Sequence, residues 1–331
     1  MLYLVLRRLG ASLATLALVS VVAFIVIDLP PGDYADAYAV SRISGGEVVT
    51  AADLEVIRHK FGLDKPLYIQ YFKWIGGVIQ GDFGFSYQYH RPVKDVIGER
   101  LPMTLLLAMT TLLFTYIAAI PLGIYSALRQ YSITDYTMGI LGYIGLATPN
   151  FLLALILMYF GQLWFGTSVG GLFSFEYQNA VWSIGKFLDL LAHIWVPVVV
   201  LGTAGMAFQL RTMRATLLDE LNKMYVTSAR ATGMSEMKMI LKYPVRMALN
   251  PIVSTLGWEL TRVVSGAPII GIVLSLPDTG PLFLNALLNQ DMLLAGAMIL
   301  IYCVMVMVGT LLSDLLLMIL DPRIRLQMGD K

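Results

Sequence analysis

Apolar residues in this chain come in long unbroken runs, without the alternation of a half-buried strand or the single stripe of a surface helix. A run of about 20 residues suits a helix crossing roughly 30 Å of hydrocarbon. Six such runs stand at about 9–28, 102–128, 136–165, 191–210, 250–274 and 292–320. The longer ones exceed a bilayer's thickness and must tilt, kink or protrude. Pro121, Pro149 and Pro268 are expected kink points, because proline has no N–H for the helical ladder. Six crossings would leave both termini on one side.

Two polar stretches between the runs carry their own pattern. In 29–101, a breaker "DLPPGD" precedes "TAADLEVIRHKFGL", where Thr50 is placed to cap a helix with Leu54, Ile57 and Phe61 at helical spacing and Gly62 as its stop. "PLYIQYFKWIGGVIQGDFGFSY" follows, with Tyr68, Tyr71, Phe72 and Trp74 giving the composition of a helix at a membrane interface. This segment reads as a small subdomain covering the outer mouth of the spans.

The second stretch lies between the fourth and fifth runs. The fourth span is expected to continue as "RTMRATLLDELNKMYVTSARAT", with Met213, Leu217, Leu221 and Met224 on one face. Gly233 suits the left-handed position that ends a helix. Ser235 is placed to cap the next one, Glu236 complements its dipole, and Pro244 breaks it. The result is a helical hairpin rich in small and basic residues: Ala229, Arg230, Ala231, Lys238, Lys242 and Arg246. Its charges suit anionic headgroups, while its small residues would let a protein partner approach closely. Spacing alone leaves both readings open.

Composition confirms the setting: 57% of the 331 residues are hydrophobic and 14% charged, far from a soluble domain. Net charge is +1, so electrostatic meaning lies in where charges sit. With the N-terminus inside, the inner segments hold Arg7, Arg8, Arg129, seven basic residues from Arg211 to Arg246, Arg323, Arg325 and Lys331. The short outer segments 166–190 and 275–291 hold only Lys186, so the hairpin is cytoplasmic by the positive-inside rule. The first run could also belong to a leader, but Leu9 to Ile27 is 19 residues, longer than the roughly 7 to 15 of a leader's apolar core. A retained span is expected. The lone Cys303 excludes an internal disulfide or a cysteine metal site.

Several chemistries are unsupported. No lysine precedes serine or threonine, so there is no phosphate-cradling Walker loop. His59, His90 and His193 stand apart without metal-ligand spacing, and no metal or catalytic residue is expected. "GTSVG", Gly166 to Gly170, matches a hydrolase pattern but follows a span, where the required strand is missing. Within the spans, Glu259 and Arg262 lie three apart on one helical face. They form either a self-contained ion pair or a gate or lining of a solute path. Pro149 and Asn150 place a break and an amide together, suited to facing water. Asp314 reads as an interface residue at the inner end of the last span.

"YVTSARATGMSEMKMILKYPVRMALNPI" resembles the cytoplasmic loop of ABC importer permeases. Tyr225, Val226, Ala229, Arg230, Ala231 and Gly233 match the form found in the oligopeptide and dipeptide (peptide/opine/nickel) subfamily, although Thr227 and Ser228 replace the loop's usual glutamate and first alanine. "FGLDKPLYIQYFKWIGGVIQGDFGFSY", "RPVKDVIGERLPMTLLL", "ATPNFLLALIL" and "DPRIRL" resemble that subfamily's signatures in order. The resemblance implies an all-α, six-helix type I permease: a first span at 1–28, an extracytoplasmic subdomain at 29–101, and a core at 102–331 containing a coupling loop at 211–250. It also implies a multi-pass protein of a bacterial or archaeal inner membrane with cytoplasmic termini. Implied partners are a second homologous permease, two ATP-binding subunits that hold ATP and Mg, an extracytoplasmic solute-binding protein and the lipid bilayer, with no nucleic acid. Tyr225, Ala229, Arg230, Ala231, Gly233, Met234, Ser235, Glu236 and Lys238 would meet the ATPase. Peptides are the implied cargo, with oligosaccharides, opines or nickel as alternatives. On the spans alone, an ATP-independent channel, a secondary transporter or a structural anchor for a basic cytoplasmic module also fits, though no repeated halves are visible.

Overall fold

The computed structural model describes residues 2–29, 35–36, 39, 42–43, 49–61, 63–86, 88–165, 170–178 and 180–320. The expectations for "PPGD", the Gly62 stop, most of "GTSVG" and the terminal "DPRIRL" lie outside the described residues. The described elements are mainly helical. They are α1 (Leu2–Asp28), α2 (Ala51–Phe61), α3 (Leu67–Ile79), β1 (Phe85–Ser86), β2 (Arg91–Pro92), α4 (Val93–Leu128), α5 (Ile133–Ala147), α6 (Asn150–Phe165), α7 (Ile184–Leu221), α8 (Met224–Ala231), α9 (Glu236–Lys242), α10 (Pro244–Ser254), α11 (Leu256–Val273), α12 (Thr279–Leu288) and α13 (Met292–Leu320).

Among the described residues, four helices are long and apolar enough to cross a bilayer: Leu6–Asp28, Val93–Leu128, Ile184–Leu221 and Met292–Leu320. The expected span at 136–165 is formed by α5 and α6 with a 104° bend between them, the form of a broken span or a re-entrant loop. Pro149 causes the break. It forces Thr148 into extended backbone (φ −81°, ψ 120°), and its own carbonyl then accepts the Leu152 and Leu153 N–H groups that start α6. By contrast, Pro121 and Pro268 lie inside the continuous helices α4 and α11. The run at 250–274 is interrupted at Thr255, between α10 and α11. At 38 residues, α7 is roughly 57 Å long by its helical rise and outreaches any bilayer.

The chain divides into two compact units. One comprises Arg7–Pro102 and Asp278–Val304. In it Thr50 and Asp53 form a reciprocal cap at the start of α2: Thr50 donates its N–H (2.9 Å) and hydroxyl (2.7 Å) to the Asp53 carboxylate, and its Oγ1 accepts the Asp53 N–H. Those bonds hold the Asp53 carboxyl below its usual range. The aromatic face of α3 meets α1 through Ser20–Tyr71 (2.8 Å) and the Phe24–Tyr71 ring contact. Tyr68 and Phe72 stay exposed, as an interfacial helix requires. The core of this unit joins Val93, Val96 and Ile97 to Leu282, Leu294 and Met298.

The other unit comprises Met103–Pro277 with the two chain ends from Met1–Leu6 and Met305–Lys331. Among the described residues it holds two apolar cores. Leu107, Leu112, Ala154, Val200, Leu201, Leu260 and Val263 bring α4, α6, α7 and α11 together. Met213, Leu217, Val226, Met239, Ile240, Val245, Ala248 and Ile252 bring the end of α7 against α8, α9 and α10. The second core mounts the basic hairpin on the tail of α7.

Candidate functional site

The hairpin begins earlier than its apolar spacing implies. Glu220 accepts hydrogen bonds from Lys223 Nζ and Tyr225 Oη, both 2.6 Å, drawing the chain back on itself. Lys223 is extended (ψ 148°), so α7 stops at Leu221 and α8 starts afresh at Met224. Burial, reinforced by Glu220, pushes the Tyr225 phenol up. The expected continuous face is therefore corrected: Val226 enters the core beside Met213 and Leu217, and Met224 turns outward.

At the tip, Gly233 has φ +77°, with open space where a side chain would be. Glycine is needed there for its dihedral, not for want of room. Ser235 occupies the N-cap position of α9, but its side chain makes no cap hydrogen bond, contrary to expectation. Arg230 instead pins the start of α9, donating to the Glu236 carboxylate at 2.5 and 3.1 Å. That contact holds the Glu236 carboxyl below its usual range. Met239 and Ile240 are buried beneath, and Met234 and Ala229 pack against the same core.

Three of the four cations singled out in the hairpin are engaged within the chain. Arg230 binds Glu236, Lys242 lies over the Tyr243 ring at 5.3 Å, and Arg246 donates to the Leu320 (2.9 Å) and Ile319 (3.2 Å) carbonyls at the end of α13. The outer surface is mixed: Met224, Met237 and Leu241 are exposed beside Ala231 and Gly233, together with Thr227, Ser228, Lys238 and the Arg230–Glu236 pair.

The second expected group lies higher on α7 and α11. Glu259 is 2% exposed. Arg262 meets its Oε2 through Nη2 (2.7 Å) and Nε (2.9 Å), so the two do pair. Burying a carboxylate costs several kcal/mol unless it is paired and hydrogen-bonded. The remaining carboxylate oxygen accepts from Gln209 Nε2 at 3.3 Å. The same amide nitrogen donates to Thr255 Oγ1 at 2.8 Å. Sequence reasoning missed Gln209, Thr255 and Gly205, which borders the pair. A single amide or hydroxyl in an apolar run has no periodic signature. Pro149 and Asn150 sit at the α5–α6 break, and among the described residues Asn150 makes no side-chain hydrogen bond to Glu259 or Arg262. Asp314 is half-buried on α13.

A third polar cluster was also missed. Asp135 on α5 accepts two hydrogen bonds from Arg214 on α7, each 2.7 Å, and others from Ser126 and the Tyr131 N–H. It ties the α4–α5 turn to the stem of the hairpin.

Long apolar helices, a helical hairpin and a buried ion pair thus stand together in this chain, and comparison with known proteins gives its family. This chain belongs to the family described as binding-protein-dependent transport system inner membrane component, matched over residues 119–326. Residues 1–108 match the N-terminal membrane component of the same transport systems. The chain is 36% identical to the oligopeptide transport system permease protein AppB of Bacillus subtilis, covering 97% of this chain and 98% of that one. It is 30% identical to the dipeptide transport system permease protein DppB of Escherichia coli K12, covering 98% and 99%. It is equally similar, at 30% over the same shares, to the glutathione transport system permease protein GsiC of Escherichia coli O1:K1. The chain is thus a membrane-embedded permease of a binding-protein-dependent ABC transport system, a class that works with ATPase and solute-binding partners.

Proposed function

We propose that this chain forms half of a peptide-translocating path, paired with a second permease and driven through the α8–α9 hairpin by two ATP-binding subunits that carry the ATP and Mg. In this reading six spans cross a bacterial or archaeal inner membrane. The sixth is the α10–α11 region, both termini are cytoplasmic, and 29–101 is an outer subdomain beneath a solute-binding protein. The chain has no catalytic residues or cofactor of its own.

One observation carries the docking role. The hairpin presents exposed apolar side chains, Met224, Met237 and Leu241, beside the small Ala231 and Gly233, and such a surface suits a protein partner where headgroup binding by charge has no use for it. In this reading Tyr225, Ala229, Ala231, Gly233, Met234, Ser235 and Lys238 would meet the ATPase, with the Arg230–Glu236 pair bracing the tip. The Glu259–Arg262 pair then serves as a gate, with Pro149 and Asn150 at a break facing the path. An ATP-driven closure reorients the spans only if it favours one arrangement over the other. Peptide cargo follows the names of the relatives, the glutathione permease included, since glutathione is itself a small peptide.

The test is Gly233→Trp in vesicles containing the complete importer. Stimulation of ATP hydrolysis by the binding protein should be lost while the complex still assembles; unchanged stimulation would refute docking. The ligand retained by the companion binding protein decides the cargo.

A further inference from the structure

A buried polar contact in the larger unit joins α7 to the place where α10 gives way to α11. Between α10 and α11 only Thr255 lies outside both helices, in αR backbone (φ −87°, ψ −2°). On one side α10 packs into the hairpin core through Val245, Ala248 and Ile252. On the other, α11 carries Glu259 and Arg262. Gln209 of α7 faces this interruption and is fully buried.

The directions of its hydrogen bonds are fixed by chemistry. The Glu259 carboxylate only accepts, so the Gln209 amide must present its NH2. The Thr255 hydroxyl already donates to the Ile252 carbonyl at 2.7 Å, so it accepts from that same NH2 at 2.8 Å. A chain of donors therefore runs from Gln209 through Thr255 to the last turn of α10, while its second arm reaches Glu259 at 3.3 Å. Gln209 Oε1 is buried with no hydrogen-bond partner among the described residues. A buried amide left half-satisfied costs roughly 1–3 kcal/mol, and an apolar side chain would fill the same space without that cost.

We propose that Gln209 is a positioning residue that straps the joint at Thr255 to the Glu259–Arg262 pair, so that a change in the angle between α10 and α11 is delivered to that pair. The inference rests on the gate reading given above, and supplies the link between hairpin and gate. Each arm holds a different helix. If α10 swings with the hairpin while α11 stays, the amide cannot keep both, and the loss is felt at the Glu259 carboxylate.

The test uses Gln209→Glu in the complete importer, in proteoliposomes with its ATP-binding subunits, the purified companion binding protein serving as the stimulus. The variant keeps the side chain's shape but turns its donor into a second carboxylate facing Glu259. The other titratable groups at this position are Arg262 from α11 and Tyr116 from α4. At about pH 8, where a free carboxyl is ionised, stimulated ATP hydrolysis should fall on the order of tenfold below wild type. Near about pH 6 a carboxyl raised by its charged neighbour is protonated again and can donate, and activity relative to wild type at the same pH should recover to within about twofold. Recovery in the same preparation also shows that the variant is folded.

A ratio to wild type that stays low and flat marks ordinary packing damage and overturns the strap, as does a ratio near one throughout. Either outcome leaves the gate reading to its own test, substitution of Glu259 and Arg262. In a second arm, Thr255→Val removes the hydroxyl and keeps the β-branched shape. Its loss of stimulated hydrolysis should be less than additive with that of Gln209→Leu; additive losses contradict a shared strap.

Discussion

The guanidinium of Arg262 occupies the space that a side chain on Gly205 would need. A Cβ at 205 would lie 3.1 Å from Arg262 Cζ and 2.9 Å from Glu259 Oε2, and closer still to Arg262 Nη2. The ion pair is therefore fitted against bare backbone of α7. Gly205→Ala should displace the guanidinium and leave a nearly buried carboxylate short of its partner, a loss on the order of 3 kcal/mol, because breaking one half of a buried pair strands the other charge. Thermal unfolding of purified protein checks this. Gly139→Ala is the control: its Cβ would meet nothing within 4 Å, and alanine favours the helix, so stability should be unchanged or slightly higher.

Asp135 and Arg214 should prove the main fastening of the α4–α5 turn. The carboxylate is 6% and the guanidinium 30% exposed, so the pair is screened on one side only, and Asp135→Asn should cost about 2 kcal/mol. Arg214→Lys should recover only part of the loss seen in Arg214→Ala, since an ammonium cannot reproduce two parallel N–H bonds. Limited proteolysis in the turn around Tyr131, a non-glycine residue at φ +63° whose N–H also binds Asp135, gives the readout.

These fastenings mark the boundary of what the sequence discloses. Span length and the positions of proline and glycine are local properties, so the apolar runs, the Thr50 cap, the Gly233 turn and the Pro244 break could all be read along the chain. Pro149 was visible too, but a shallow kink and a 104° bend start from the same missing N–H. Which one forms depends on what the neighbouring helices cover. The stop at Leu221 depends on Glu220 gathering Lys223 and Tyr225, a choice that helical spacing from Met213 to Met224 does not encode. Gln209 reaches residues 46 and 50 positions away, and Ser86 reaches Asp291 at 2.5 Å across 205. No periodicity relates such partners. The two-residue strands β1 and β2 are likewise too short to show alternation.

Gly233 offers a way to separate backbone need from docking need. Asparagine tolerates the left-handed region and valine does not. Gly233→Val should loosen the hairpin by about 1–2 kcal/mol, and Gly233→Asn by much less, as judged by protease cleavage between Ala231 and Glu236. If the tip also requires close approach of a partner, Gly233→Asn should still depress binding-protein-stimulated ATP hydrolysis in the complete importer, with the hairpin intact.

Asp278 should make the smaller unit sensitive to pH near neutrality. It stands at the N-cap position of α12, 2% exposed, and its Oδ1 has no hydrogen-bond partner among the described residues. Burial raises its pKa to about 7, against the opposing pull of the Gly280 and Asp278 N–H groups and of Arg100. Because the folded value lies above the ordinary 3.8, the unfolded chain ionises first as pH rises. The stability held at low pH is fully present below about 4 and is lost progressively until the folded carboxyl ionises near about 7, after which the loss levels off. Asp278→Asn keeps the side chain's shape but cannot ionise, so it should melt higher than wild type at about pH 8 and lose the slope between about pH 5 and about pH 7. Thermal unfolding in detergent across that range measures both. An unaltered slope in the variant would assign the pH dependence to other groups.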